Sequence, residues 1–229
     1  MKVTDLQLFV SDSIGSVSAI LVRPENAWIV YVMAHGAGAG MRHRFLQTVA
    51  QGLAERGVAT LRYQFPYTEA GRKRPDYPSV LETTVRAAVA KAGQLAADLP
   101  AIAGGKSLGG RMTSNAAAKG MLPQIKGLVF LGFPLHPPGQ AGTERADHLD
   151  SIAVPLLFLQ GTRDSFARLD LLSSVCGRLP RATLHLIADA DHSFGVPKRA
   201  GRTSEDVVAE LGATISEWAR PQVLGTVPA

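Results

Sequence analysis

Segments patterned as strands and helices alternate along almost the whole 229-residue chain, which limits the folds open to it more than any other feature. Strand-length apolar runs followed by amphipathic helices imply an α/β fold: a mainly parallel central sheet with helices on both faces. Met1–Val10 alternates apolar and polar residues as a strand does. Ser16–Val22 and Ala27–Met33 read as two more strands, joined by a turn at Arg23-Pro24-Glu25-Asn26. Ser16–Val22 and Ala27–Met33 are close enough in sequence for a hairpin, hence for an antiparallel edge. Beyond a flexible loop, His35-Gly36-Ala37-Gly38-Ala39-Gly40, the residues Phe45, Leu46, Val49 and Leu53 share one face of a helix that Gly57 ends. Val58–Phe65 is a strand, and residues 67–78 form a polar loop. Ser79 and Glu82 have capping-box spacing ahead of a helix marked by Val85, Val89, Ala92, Leu95 and Leu99.

Ala101–Gly105 is a short strand of small residues, and a helix runs from Ser107 to near Gly120. Ile125–Leu131 and Val154–Leu159 lack helical periodicity and lie between turn residues, so they read as buried parallel strands. Ala182–Ile187 is the last strand. A final helix from about Ser204 presents Val207, Val208, Leu211, Ile215 and Trp218 on one face, and the tail after Pro221 reads as frayed. No repeat or linker interrupts the pattern, so residues 1–229 read as one domain.

Composition excludes several classes. No apolar run is long enough to span a bilayer, and the N-terminus lacks the basic-then-apolar pattern of a signal peptide. One cysteine, Cys176, cannot form an internal disulfide, which points to a reducing, cytoplasmic setting; beside Val175 it reads as a buried thiol. The net charge of +5 raises the question of nucleic acid. Yet the densest basic clusters, Arg72-Lys73-Arg74 and Lys198-Arg199 with Arg202, have no interleaved aromatics and no recognition motif, and read as solvated surface. Neither nucleic acid nor membrane is expected as a partner.

The chemistry is carried by Gly105-Lys106-Ser107-Leu108-Gly109, a G-x-S-x-G segment between a strand and a helix. A serine there must adopt a strained backbone to project its hydroxyl, and small residues two before and two after keep strand and helix from colliding. A P-loop is excluded, since no glycine lies five residues before Gly105. The partners follow in the order acid, then histidine. Gln160-Gly161-Thr162-Arg163-Asp164 places a carboxylate past one strand end, and Asp191-His192-Ser193-Phe194 places an imidazole past the next. That edge of a parallel sheet is where ligands bind.

The expected roles are Ser107 as nucleophile, His192 as base and Asp164 as the acid that orients the imidazole. Asp189 and Asp191 are rival acids nearer to His192 in sequence. Asp191 is disfavoured because adjacent side chains on an extended segment diverge. The oxyanion of an acyl-transfer intermediate needs two donors. The Leu108 amide, at a helix N-terminus, is one; Ala37, with Gly36 as the alternative, supplies the other. His35 reads as a brace for that loop. His136, in a proline-bounded turn, either lines the site or is structural. His43, His136, His148 and His185 lack metal-ligand spacing, and neither metal nor cofactor is expected.

These motifs, with Gly104-Gly105-Lys106-Ser107-Leu108-Gly109-Gly110-Arg111 and Phe133-Pro134-Leu135-His136-Pro137-Pro138-Gly139, resemble the α/β-hydrolase superfamily from about Ser16 to Trp218. The resemblance narrows to a subgroup of bacterial predicted hydrolases similar to dienelactone hydrolases. An animal relative of that subgroup is a regulatory subunit of a nuclear histone acetyltransferase complex. It implies hydrolysis of a small-molecule ester, thioester or amide, and leaves a non-catalytic scaffold on the same fold as the alternative. Dienelactone hydrolases proper use cysteine, and haloalkane dehalogenases and epoxide hydrolases use aspartate, so the serine here argues for acyl transfer. Relatives insert a cap domain where this chain has only the residues between Leu135 and Val154, too few for one. A peptidase would use the same residues but would need a substrate-sorting domain for which there is no room. The expected function is therefore a serine hydrolase that cleaves a small ester or thioester through an acyl-enzyme.

Overall fold

A computed structural model of the chain describes residues 1–224. Eight strands form one sheet: β1 (Lys2–Ser11), β2 (Gly15–Arg23), β3 (Ile29–Ala34), β4 (Val58–Tyr63), β5 (Ala101–Lys106), β6 (Ile125–Leu131), β7 (Leu156–Gly161) and β8 (Ala182–Ile187). Their spatial order is β1-β2-β4-β3-β5-β6-β7-β8. β2 pairs antiparallel with both β1 and β4, and the remaining pairs are parallel. The mainly parallel sheet is as expected, but the antiparallel hairpin at its edge is made by β1 and β2. The Arg23–Asn26 turn, however, does not join sheet neighbours, because β4 lies between β2 and β3.

Side-chain alternation divides each central strand between two cores. Ile29, Tyr31 and Met33 of β3 face α1 (Arg44–Ala54) and α6 (Ser204–Leu224), together with Ile102, Val129, Leu131, Leu157 and Leu159. Val30, Val32 and Ala34 face the opposite layer with Ala103, Leu128, Phe130, Leu156 and Phe158. That layer holds α3 (Pro78–Leu95), α4 (Leu108–Ala118) and α5 (Leu169–Arg178), where Cys176 is buried. Because both faces are covered, these strands read in sequence as continuous apolar runs.

Several local expectations are corrected. The loop after β4 opens with a short helix, α2 (Pro66–Glu69), which buries Tyr67. Ser79 does not cap α3: the helix starts at Pro78, whose ring presets the first turn, and Tyr77 is its N-cap. Glu82 instead lies buried against α4 and pairs with Lys119 at 2.5 Å. The helix stops at Leu95, so Leu99 lies beyond it. At the C-terminus, α6 continues through Pro221 to Leu224, and the rest of the tail expected to fray lies outside the described residues. Between β6 and β7 a 3-10 turn, Glu144–Ser151, packs on α4 with Ser114 Oγ 2.7 Å from His148 Nε2, and no cap domain is present. Among the described residues no helix is long and apolar enough to cross a membrane.

Candidate active site

Ser107 is the single residue between β5 and α4, with φ 48° and ψ −115°. This backbone is sparsely populated for a residue with a Cβ and costs on the order of 1–3 kcal/mol. Its neighbours at positions −2 and +2 explain how the turn closes. A Cβ on Gly105, where φ is +143°, would stand 2.2 Å from the Ala34 carbonyl oxygen. A Cβ on Gly109 would stand 2.6 Å from the His35 carbonyl oxygen. Strand and helix thus both press against the end of β3, and only glycine fits at either contact.

The expected triad residues meet around the projecting hydroxyl. Ser107 Oγ lies 2.9 Å from His192 Nε2, and His192 Nδ1 lies 2.7 Å from Asp164 Oδ2. With Nδ1–H donating to the carboxylate, Nε2 is left to accept the serine proton. The Asp164 side chain is fully buried and takes two further hydrogen bonds, from Gln160 Nε2 at 2.5 Å and from the Phe166 amide at 2.8 Å. Gln160 is itself oriented, since its Oε1 accepts the Phe133 amide. The Phe166 ring packs on the imidazole, 4.3 Å between centroids. Neither rival acid makes this contact. Asp191 Oδ1 accepts the Ser193 and Gly195 amides and shapes the loop, while Asp189 sits at φ 57° with its own amide bonded to Thr162 Oγ1.

Gly36, Ala37 and Gly38 line a cavity of about 180 Å³ with Ser107, His192 and Lys106. Leu108 opens α4, so its amide has no helical acceptor. Among the described residues neither the Ala37 nor the Leu108 amide meets an acceptor. His35 is the brace expected for this loop. Its Nδ1–H donates to the Gly36 carbonyl at 2.8 Å, and its Nε2 accepts the Phe65 amide at 3.0 Å. Burial pushes its pKa down to about 4. His136 proves structural: it donates to the Pro137 carbonyl and accepts the Arg168 amide, tying the segment after β6 to the one carrying Asp164.

Gln160, Phe166 and Lys106 are the residues of this site that motif reading missed. Gln160 ends the apolar run of β7 with a buried amide, four residues before Asp164, which is the signal that could have found it.

A family model described as alpha/beta hydrolase domain matches residues 27–220, and the chain belongs to that family. Its fold is similar to solved structures at low identity. A dienelactone hydrolase from Anabaena variabilis is 19% identical with a TM-score of 0.75, the match covering 95% of this chain and 96% of that one. An α/β serine hydrolase without lid from Xanthomonas campestris is 18% identical with a TM-score of 0.73, over 100% and 98%. Est1E from Butyrivibrio proteoclasticus is 19% identical with a TM-score of 0.72, over 96% and 99%.

The His35 brace carries a pH prediction. Its folded-state pKa, about 4, lies below the ordinary 6.5, so protonation favours the unfolded chain. The stability this histidine contributes is present above about 6.5 and is lost as pH falls towards about 4, by roughly 3 kcal/mol. Urea unfolding across that range should show native protein losing its advantage over His35→Gln by about this amount. A constant difference would show that the imidazole does not titrate with unfolding.

Proposed function

We propose that this protein is a serine hydrolase cleaving a carboxylic ester or thioester through a covalent acyl-enzyme. The observation that carries this reading is the continuous relay from Ser107 through His192 to a fully buried Asp164, at 2.9 and 2.7 Å. Ser107 Oγ attacks the acyl carbon while its proton passes to His192 Nε2. Asp164 holds the ring in the required tautomer and stabilises the imidazolium. The amides of Ala37 and Leu108 receive the oxyanion. Collapse breaks the bond to the alcohol or thiol, which takes the proton from Nε2, and water then repeats the sequence to release the acid. The single buried cysteine suits a reducing cytoplasm.

The expected small ester or thioester is refined by a second hollow. A groove of about 390 Å³ between α1 and α6 adjoins the cavity at Ser107, the two sharing His43, Phe45 and Ser193. Its walls include Phe45 and Phe194, whose rings stack at 5.4 Å, with Val207 and Val208 beyond. This volume falls within the range of small-molecule sites, roughly 300–1,000 Å³. It supports a substrate whose larger, apolar part extends away from the scissile bond.

Two measurements test the reading. Asp164→Asn places an NH2 or a reoriented carbonyl among donors that need a carboxylate, and should lower kcat by up to about ten-thousand-fold. Asp189→Asn should leave it near native, and the reverse ranking would overturn the assignment of the acid. Thr48→Phe, which fills the groove from α1, should lower kcat/KM for naphthyl esters at least about tenfold while sparing methyl esters of the same acid. Equal effects on both would remove the groove from the substrate site.

A further inference from the structure

Lys106 lies inside the serine motif, yet the triad chemistry leaves it unused. From the end of β5 its side chain runs along the α1 and α6 face, past Gly36, where a Cβ would stand 3.4 Å from Lys106 Cγ. The stem borders the cavity, but the amine at its tip is buried and has no hydrogen-bond partner among the described residues. Gly132, at the end of β6, locates that tip. A Cβ built there would lie 3.1 Å from Lys106 Nζ, 3.5 Å from Asp164 Oδ2 and 3.6 Å from His192 Nδ1. One point is therefore flanked by the amine and by both ends of the Asp164–His192 hydrogen bond. The Phe194 ring closes the other side, its centroid 5.5 Å from Nζ.

A buried, unpaired amine is costly in its charged form, and a hydrocarbon side chain would fill the same space without that cost. Asp164 and Asp191 draw a proton towards the amine, but burial outweighs them and pushes its pKa down to about 8. The charged and titratable groups around it are few. The segment after β7 brings Asp164, and the loop after β8 brings Asp191, already engaged by two amides, and His192. The segment before α1 brings His43, exposed at the cavity rim. Gly132 follows β6, and the buried residues of α6 on this side of the sheet, Val207, Leu211, Ile215 and Ala219, are all apolar.

We propose that Lys106 is a positioning residue of this active site, whose amine acts through the Asp164–His192 pair by opposing positive charge on the imidazole. This rests on the serine-hydrolase reading above. While Lys106 is protonated, its charge opposes the resting imidazolium of His192. It equally disfavours the imidazolium that forms when Ser107 attacks. Loss of its proton should then ease the reaction. Native kcat/KM for an activated ester should rise first as His192 loses its proton, and again, by up to about tenfold, near pH 8 as Lys106 loses its own.

The experiment compares native protein, Lys106→Met and Lys106→Arg in pH profiles of kcat/KM and in NMR titrations of the His192 ring. Lys106→Met should lose the step near pH 8 and move both the acid limb and the imidazole titration to higher pH. Lys106→Arg keeps a charge at every pH, so it should retain the native acid limb but lack the second step. Superimposable native and Lys106→Met titrations would overturn the proposal, as would a native profile that is flat or falling near pH 8. Should Lys106→Met not fold, the native profile and Lys106→Arg still decide. The NMR titration needs no turnover, so an inactive native protein would defeat the hydrolase reading and leave the coupling of Lys106 to His192 separately decided.

Discussion

The end of β3 is pressed from two sides, by Gly105 leaving β5 and by Gly109 in the first turn of α4, at distances that no side chain could share. Everything else in the site is referred to that contact. It fixes how sharply the chain reverses at Ser107, and so where the hydroxyl projects and where the first free amide of α4 points. The same end of β3 supplies His35, whose two ring nitrogens are both engaged, so the loop bearing Ala37 is held beside the serine. Ser107 and the loop bearing the proposed oxyanion donor Ala37 are thus positioned by a single packing constraint.

The other half of the site is assembled by the sheet edge. β7 and β8 lie side by side, so the residues that follow them reach one another, and Asp164 meets His192 across that gap. Gln160, the Phe166 amide and the Phe166 ring then hold carboxylate and imidazole from behind. Such support is needed because the relay depends on which nitrogen carries the proton, and an acid free to turn would not select one tautomer. His136 joins the loops after β6 and β7, so the acid is fixed to two strands.

Much of this was legible in the sequence because strand ends and glycine spacings are local signals. Gly105, Ser107 and Gly109 announce their turn directly; Asp164 follows an apolar run that reads as a buried strand, and His192 follows the last strand, which is only partly buried. Pairing order is not local, and nothing near Arg23–Asn26 says that β4 will lie between the strands on either side of that turn. Glu82 had capping spacing, but a neighbouring helix gave its carboxylate a buried partner, and tertiary packing overrode the local motif. Lys106 was hidden for another reason. Its position in the motif tolerates any side chain, so only the three-dimensional course of its stem reveals that the amine and the Asp164–His192 pair flank one point at Gly132.

The central claim, that this geometry makes Ser107 a nucleophile, is tested most directly by a fluorophosphonate. Its phosphorus is attacked by a serine that a base has activated, and the adduct carries an oxygen for the proposed oxyanion donors, the Ala37 and Leu108 amides, to receive. Intact-mass and peptide analysis should find one adduct per chain, on Ser107, and none in His192→Ala. A folded native protein that stays unlabelled at Ser107 from about pH 6 to 9, a range in which a histidine base should be active, would contradict the account.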